Sequence, residues 1–98
     1  DLPNAEMGVI RQAFTKYASL VSGLSGGWTR RSRGPNDPVA LSYHIAETLQ
    51  VDLDEKQALL EEPSASRRLE AELDILRRDA EKISQRLFVE MMSRFGRQ

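Results

Sequence analysis

The chain has 98 residues, 40% of them hydrophobic and 30% charged, which suits one small domain or part of one. Its 14 basic and 15 acidic residues leave a net charge of −1, so no overall field selects nucleic acid or an anionic membrane surface. Cysteine is absent, which excludes disulfides, thiolate metal sites and a cysteine nucleophile.

No segment of the chain reads as a membrane span or a secretory signal. No apolar run approaches the ~18 residues that cross a bilayer, and no signal-peptide pattern opens the sequence. We therefore expect no membrane partner and a cytoplasmic location. The sequence opens Asp1-Leu2-Pro3 without an initiator Met, so we also expect that an N-terminal portion precedes it.

The first predicted helix covers about residues 5–22. Asn4 is a suitable N-cap, and apolar residues then recur at alternating steps of three and four, which places them on one stripe of a helix. Ser22-Gly23 is predicted to begin the end of this helix, and residues 23–37 are predicted to form a loop. The residues of the apolar stripe are Met7, Ile10, Phe14, Tyr17, Val21 and Leu24.

The next two predicted helices are shorter. One, about residues 38–50, follows Asp37-Pro38, because Asp caps a helix and Pro suits its first turn. The other, about residues 53–62, follows Asp52, whose spacing to Glu55 is that of a capping box. The residues predicted to face the core are Leu41, Ile45 and Leu49 in the first, and Leu53, Leu59 and Leu60 in the second.

The last predicted helix, about residues 65–95, is the longest, and either Ser64 or Ser66 is a suitable cap. Pairs at i,i+4 are predicted between Asp74 and Arg78 and between Glu90 and Arg94. A 4-3-4-3-4 apolar rhythm predicts a seam against neighbouring helices, formed by Leu69, Leu73, Leu76, Ala80, Ile83 and Leu87. Beyond this seam the rhythm slips to Phe88, Met91, Met92 and Phe95. The chain is therefore predicted to be all-α, a four-helix bundle-like module with a long C-terminal helix.

Catalytic equipment is not found in the sequence. His44 is the single histidine, and its place beside Ile45 favours a half-buried structural residue over a catalytic base. The carboxylates lie near arginines and are predicted to occupy solvated helix faces: Glu61, Glu62, Glu70, Glu72 and Asp74. We assign no catalytic residue, cofactor site or metal ligand, and expect this fragment not to be an enzyme.

Two features suggest binding. In loop 28–33, an indole that can stack on bases stands beside arginines that neutralise phosphate: Trp28, Arg30, Arg31 and Arg33. A solvated loop is favoured there, because the domain as a whole is not basic. The second feature is an adaptable apolar surface formed by Phe88, Met91, Met92 and Phe95. From the residues alone the structural interpretation is favoured, in which these four side chains pack on the first helix or on residues outside this chain.

Residues 38–70 resemble the helical half of the Lon protease N-terminal domain, also called the Lon substrate-binding domain. The most specific part is Lys56-Gln57-Ala58-Leu59-Leu60-Glu61, followed by Arg68-Leu69-Glu70. The weaker matches before it are Pro38, Leu41, Ile45-Ala46 and Leu49. The similarity extends more loosely over residues 5–80. On this resemblance, residues 1–98 are the helical subdomain of such a domain, and a β-rich, PUA-like half lies upstream.

The resemblance implies a non-catalytic, bacterial module of protein quality control without cofactors. Its implied partners are unfolded or tagged polypeptides, a Lon-type ATPase or a second copy of the chain, with nucleic acid disfavoured. Leu41-Ser42-Tyr43 stands where ATP-dependent Lon enzymes commonly read Leu-Ala-Asp, and Leu76-Arg77-Arg78-Asp79 is closer to stand-alone bacterial Lon-domain proteins. We therefore expect the stand-alone type. The alternatives are a fragment of a full ATP-dependent Lon protease, a serine peptidase of the S16 family with its AAA+ ATPase elsewhere, and a structural or self-association module.

Overall fold

The computed structural model describes residues 4–24 and 34–96. Within these ranges the chain forms four α-helices and no strand, which confirms the all-α prediction. The helices are α1 (Asn4–Leu24), α2 (Pro38–Thr48), α3 (Leu53–Glu61) and α4 (Ala65–Phe95). Gly23 and Leu24, predicted to begin a loop, are still helical. α2 ends before the predicted residue 50, because Leu49 takes an extended backbone conformation.

Side-chain caps fix the starts of α2, α3 and α4, as predicted. The carboxylate of Asp37 accepts a hydrogen bond from the Ala40 amide at 2.9 Å, and that of Asp52 from the Glu55 amide at 2.8 Å. The hydroxyl of Ser64 accepts from the amide three residues later at 3.3 Å. Each cap satisfies a backbone N–H that has no partner inside its helix, which contributes about 1 kcal/mol.

The long helix α4 is the element on which the other three pack. It contacts each of them, most extensively α1. Ala13 of α1 lines the same shallow groove as Leu76 and Ala80 of α4. Ten residues further along α1, Gly23 lies beside Leu87 of α4, since a Cβ atom added to this glycine would be 3.8 Å from the leucine side chain. α1 and α4 therefore run side by side in the same direction.

The core lies where α1, α2 and α3 meet α4. Tyr17 is buried, and its hydroxyl accepts a hydrogen bond from the Gln50 amide at 2.9 Å, which ties α1 to the end of α2. Burial raises the pKa of Tyr17 above its ordinary value. The other buried apolar residues include Ile10, Phe14, Leu41, Ile45, Leu49, Leu59, Leu69 and Leu76.

Two of the residues predicted to face the core from α3 do not. Leu53 is 79% exposed and Leu60 is 43% exposed, whereas Leu59 is buried. Leu53 and Leu60 share one face of α3 at i,i+7, and that face lies roughly 100° around the helix from Leu59. Because α3 is short and packs through its Leu59 side, the face with the other two leucines is left toward solvent.

The predicted ion pairs of α4 are replaced by others. Arg78 pairs with Glu55 of α3 at 2.8 Å and with its neighbour Asp79 at 2.9 Å, rather than with Asp74. Glu90 lies 3.6 Å from Arg86 instead of pairing with Arg94. α3 packs beside Arg78, and both carboxylate oxygens of Glu55 accept hydrogen bonds from its guanidinium. Such a bidentate pair is stronger than the single hydrogen bond expected from Asp74 on the same helix.

Candidate functional site

The last turns of α4 carry five exposed apolar side chains. Four of them, Phe88, Met91, Met92 and Phe95, share one surface, which we call the terminal apolar face, and the fifth, Val89, points about 100° around the helix from Phe88. The exposed fractions are 59% for Phe88, 52% for Met91, 55% for Met92 and 67% for Phe95. Their spacing of i, i+3, i+4 and i+7 sets them side by side on one surface of the helix. Their exposure shows that they do not pack on α1, so that part of the structural interpretation is wrong, whereas packing on residues outside this chain stays a prediction.

The terminal apolar face is not a continuation of the seam between α4 and α1. At about 100° per residue, the face lies about 100° around the helix from the seam that ends at Leu87. The next seam positions fall at Glu90 and Arg94, which are polar and exposed. The seam thus stops with the core, and a second apolar surface begins on another side of the helix.

The side of α4 that carries the terminal apolar face carries charged residues in the preceding turns. Upstream of the face, this side presents exposed charged residues at Glu70, Asp74, Arg77 and Glu81. α1 ends at Leu24, close to the level of Leu87, while α4 continues for eight more residues, about 12 Å. The terminal apolar face therefore stands on a projecting, two-turn segment beyond the end of α1.

Near the other end of α4, a buried arginine joins three helices. Arg68 is 2% exposed, and its Nε donates to the Leu59 carbonyl at 2.8 Å. Its Nη1 donates to the Ser42 hydroxyl at 2.9 Å, and its Nη2 donates to the Glu62 carbonyl. These carbonyls lie at the C-terminal end of α3, where the Leu59 carbonyl also accepts from the Glu62 amide at 3.3 Å. The arginine therefore adds a side-chain cap to the end of that helix. We call this group the Arg68 clamp.

An aromatic ring completes the clamp. The Arg68 guanidinium carbon lies 4.2 Å from the centre of the Tyr43 ring, and Nη2 also donates to the Tyr43 hydroxyl at 3.4 Å. Stacking on a ring compensates part of the hydration that a guanidinium loses on burial. Tyr43 as a residue is 43% exposed, so it lies at the boundary between the clamp and solvent.

A buried carboxyl group lies one turn from the clamp. Glu72 has no exposed surface, and neither of its carboxyl oxygens has a hydrogen-bond partner among the described residues. Burial raises its pKa to about 8, and the charge of Arg68 lowers it only in part. Glu72 is therefore mainly a neutral acid at pH 7. The prediction that it lies on a solvated face is wrong.

The sequence carried a signal for Glu72 that a search for apolar residues misses. Glu72 lies three residues after Leu69 and four before Leu76, so it occupies a seam position as well as Leu73 does. Leu73 is only half-buried, whereas Glu72 is fully buried. For Arg68, four residues earlier, the sequence indicates only membership of a family motif and does not predict burial.

The remaining predicted residues fall into two groups. His44 is half-buried, and its ring meets that of Phe14 edge-on, with centroids 5.5 Å apart, as a packing residue does. The four residues of the nucleic-acid alternative lie outside the described residues: Trp28, Arg30, Arg31 and Arg33. Across residues 4–24 and 34–96, no cluster of three or more acidic or histidine side chains could hold a metal ion. None of the helices described is long and apolar enough to cross a membrane.

Comparison with known proteins gives one match. A family model described as the ATP-dependent protease La (LON) substrate-binding domain matches residues 5–78, which is most of the chain. Neither a curated protein nor a solved structure gives a significant match. The matched region holds α1, α2, α3, the Arg68 clamp and Glu72, and it ends before the terminal apolar face.

Proposed function

The chain belongs to the Lon substrate-binding domain family, and we propose that it binds unfolded or tagged polypeptides through its terminal apolar face. Membership of the family indicates a role in recognising protein substrates. The observation that supports this particular surface is the exposure of Phe88, Met91, Met92 and Phe95, each above half, on one side of a projecting helix end. Large apolar side chains grouped in this way are typical of interaction surfaces.

The chemistry of the terminal apolar face suits partners that share no fixed sequence. Methionine side chains are unbranched and polarisable, so Met91 and Met92 can adjust to differently shaped apolar groups. The face is about 10 Å long, which matches about three residues of an extended chain or two turns of a helix. Polypeptides with exposed apolar residues fit this description, and folded proteins, which bury such residues, do not.

The size of the face also sets the expected affinity. Burying a large apolar side chain contributes about 1.5–3 kcal/mol, and association costs at least about 4 kcal/mol of lost freedom. Four partly exposed side chains then leave a weak interaction, with dissociation constants in the micromolar to millimolar range. Rapid release is useful in a module that samples many polypeptides.

We expect the double substitution Met91→Lys/Phe95→Lys to weaken binding of a permanently unfolded protein by at least about tenfold. Two ammonium groups would occupy the apolar contact, and a loss of 1.4 kcal/mol already corresponds to tenfold. Fluorescence anisotropy of a labelled unfolded protein measures the affinity, and circular dichroism checks that the helices persist.

The matched control is Leu53→Lys, which makes the same kind of change at another exposed apolar residue, on α3. It should leave the affinity unchanged. If the double variant binds as the parent does, the terminal apolar face is not the binding surface. Equal losses in the double variant and in Leu53→Lys would show that the measured binding depends on general surface hydrophobicity.

We also propose that the chain comes from a stand-alone Lon-domain protein. Two residues support this proposal, because Ser42-Tyr43 stands in place of the Ala-Asp in the Leu-Ala-Asp that is common in ATP-dependent Lon enzymes. The hydroxyl groups of both residues accept hydrogen bonds from the Arg68 guanidinium. The reading frame beyond Gln98 tests the proposal. Codons that encode an ATPase would contradict it and would favour a full ATP-dependent Lon protease.

A further inference from the structure

We propose that Glu72 makes the Arg68 clamp sensitive to pH, so that ionisation of the Glu72 carboxyl draws the Arg68 guanidinium away from the end of α3. This device is separate from the terminal apolar face, which begins sixteen residues further along α4, about 24 Å away. It follows from three features of the core: a buried acid whose oxygens have no hydrogen-bond partner in the part of the chain that the structure describes, a buried cation one helical turn away, and neutral acceptors around that cation.

The environment of Glu72 favours the neutral carboxylic acid over the ionised carboxylate. Both oxygens of Glu72 are enclosed without a hydrogen-bond donor among the described residues. Taking an unpaired carboxylate out of water is far more costly than burying a neutral acid, so the folded chain holds the proton. This agrees with the raised pKa of Glu72, about 8.

Arg68 is the charged group whose field acts on Glu72. The other described cations on the elements packed against α4 are exposed or donate to backbone carbonyls: Lys16 is exposed, Arg11 donates to Asn36 and Lys56 donates to Glu47. Other titratable groups on these elements also make contacts of their own. Tyr17 of α1 accepts from the Gln50 amide, His44 of α2 packs on a phenylalanine ring, and Glu55 of α3 is paired with Arg78. Ionised Glu72 would therefore have Arg68 as its partner, and residues at i,i+4 on a helix are within reach of each other.

Pairing with Glu72 would compete with the contacts of the clamp. Arg68 now donates to Leu59, Glu62, Ser42 and Tyr43, which leaves one Nη1–H over. A carboxylate that binds a guanidinium through two parallel bonds needs a second N–H, which has to come from one of the existing partners. A carboxylate carries a full negative charge, whereas the present acceptors are carbonyl and hydroxyl oxygens without a net charge. The carboxylate therefore attracts the guanidinium more strongly and displaces one of these acceptors.

The consequence is a corner between α3 and α4 that loosens as the pH rises. The folded chain retains on Glu72 a proton that the unfolded chain releases above a pKa of about 4.5. The folded state therefore binds more protons than the unfolded state between about pH 4.5 and 8, and its stability falls as the pH rises through this range. A carboxyl group with a lowered pKa would give the opposite trend.

The test compares the unsubstituted chain with Glu72→Gln, which keeps the shape of the side chain and cannot ionise. Between pH 6 and 8 we expect the melting temperature of the unsubstituted chain to fall, relative to that of Glu72→Gln, by about 5 °C or more. In ¹H–¹⁵N spectra, the amides of Ser42, Leu59 and Glu62 should shift with a midpoint near pH 8 in the unsubstituted chain only. Glu70→Gln, an exposed neighbour on the same helix, should behave as the unsubstituted chain does.

Identical pH profiles for the unsubstituted chain and Glu72→Gln would overturn the proposal. So would a melting difference without the amide shifts, since Glu72 would then titrate without moving the clamp. If Glu72→Gln does not fold, ¹³C-carboxyl resonances of the unsubstituted chain still decide. A Glu72 midpoint below pH 6 contradicts the proposal, whereas a midpoint near 8 that coincides with the amide shifts supports it.

Discussion

Replacing Arg68 by methionine is expected to lower the free energy of unfolding by about 3–5 kcal/mol, the loss of two or so hydrogen bonds from a charged donor. Methionine keeps much of the apolar stem of arginine and removes every hydrogen bond of the clamp. The Glu62 carbonyl then loses its arginine donor, while the Leu59 carbonyl keeps the Glu62 amide at 3.3 Å and the Ser42 hydroxyl still donates to the Val39 carbonyl at 2.7 Å. Each hydrogen bond lost from a charged donor costs about 1.5–3 kcal/mol. Chains of this size have total stabilities of about 5–15 kcal/mol, so the variant should be close to unfolding.

Urea denaturation followed by circular dichroism measures this loss. Arg67→Met is the matched control, because the neighbouring arginine is exposed and its change should stay within about 0.5 kcal/mol. A loss below about 1 kcal/mol for Arg68→Met would contradict the capping role that we assign to the clamp.

Replacing Glu72 by methionine is expected to have the opposite effect and to raise the free energy of unfolding by about 1–4 kcal/mol at pH 8. Buried charged groups replaced by apolar residues of similar volume often give gains of this size. Methionine is unbranched like glutamate, so it fits the same space with little repacking. Because the carboxyl is neutral at lower pH and costs less to bury then, the gain should be smaller at pH 6 than at pH 8.

Denaturation at the two pH values measures this gain, with Glu70→Met as the exposed control on the same helix. The structure would be contradicted by a clear loss of stability in Glu72→Met at both pH values. That outcome would mean that the carboxyl makes a stabilising contact. A gain that does not change with pH would place the pKa of Glu72 in the folded chain below about 6, because any higher value would make the gain grow between the two pH values.

The fold was largely predictable because local signals agree with it. Asp37, Asp52 and Ser64 mark helix starts by a mechanism that needs only a nearby backbone N–H, and all three act as caps. The stripe on α1 was also readable, since periodicity alone sets Ile10 and Phe14 on one side of a helix. Their burial follows once a neighbouring helix is present.

The polar interior was not predictable from such signals. Glu72 shares a seam with Leu69 and Leu76, but a carboxylate is ordinarily placed in water, because burying its charge is costly. Only the packing of α1, α2 and α3 around α4 shows that this position is enclosed. The predicted burial of Leu53 and Leu60 was wrong for the converse reason, because an apolar residue on a short helix is buried only if a neighbouring element covers that face.

The structure also gives the motif in residues 56–61 a physical meaning. Leu59 packs in the core, while its carbonyl accepts from the Arg68 side chain of the second part of the motif. The two parts of the resemblance to Lon domains, separate in sequence, therefore contact each other across the corner between α3 and α4. Their joint role is to hold that corner, at a distance from the surface that we propose for binding.

The terminal apolar face can be tested directly with the three methionines of the chain. Met91 and Met92 lie on the face, while Met7 is 9% exposed and belongs to the core, so it serves as an internal control. With ¹³C-methyl-labelled methionine, adding a permanently unfolded protein should shift the Met91 and Met92 signals and leave Met7 unchanged. Binding that leaves the Met91 and Met92 signals in place would contradict the proposal.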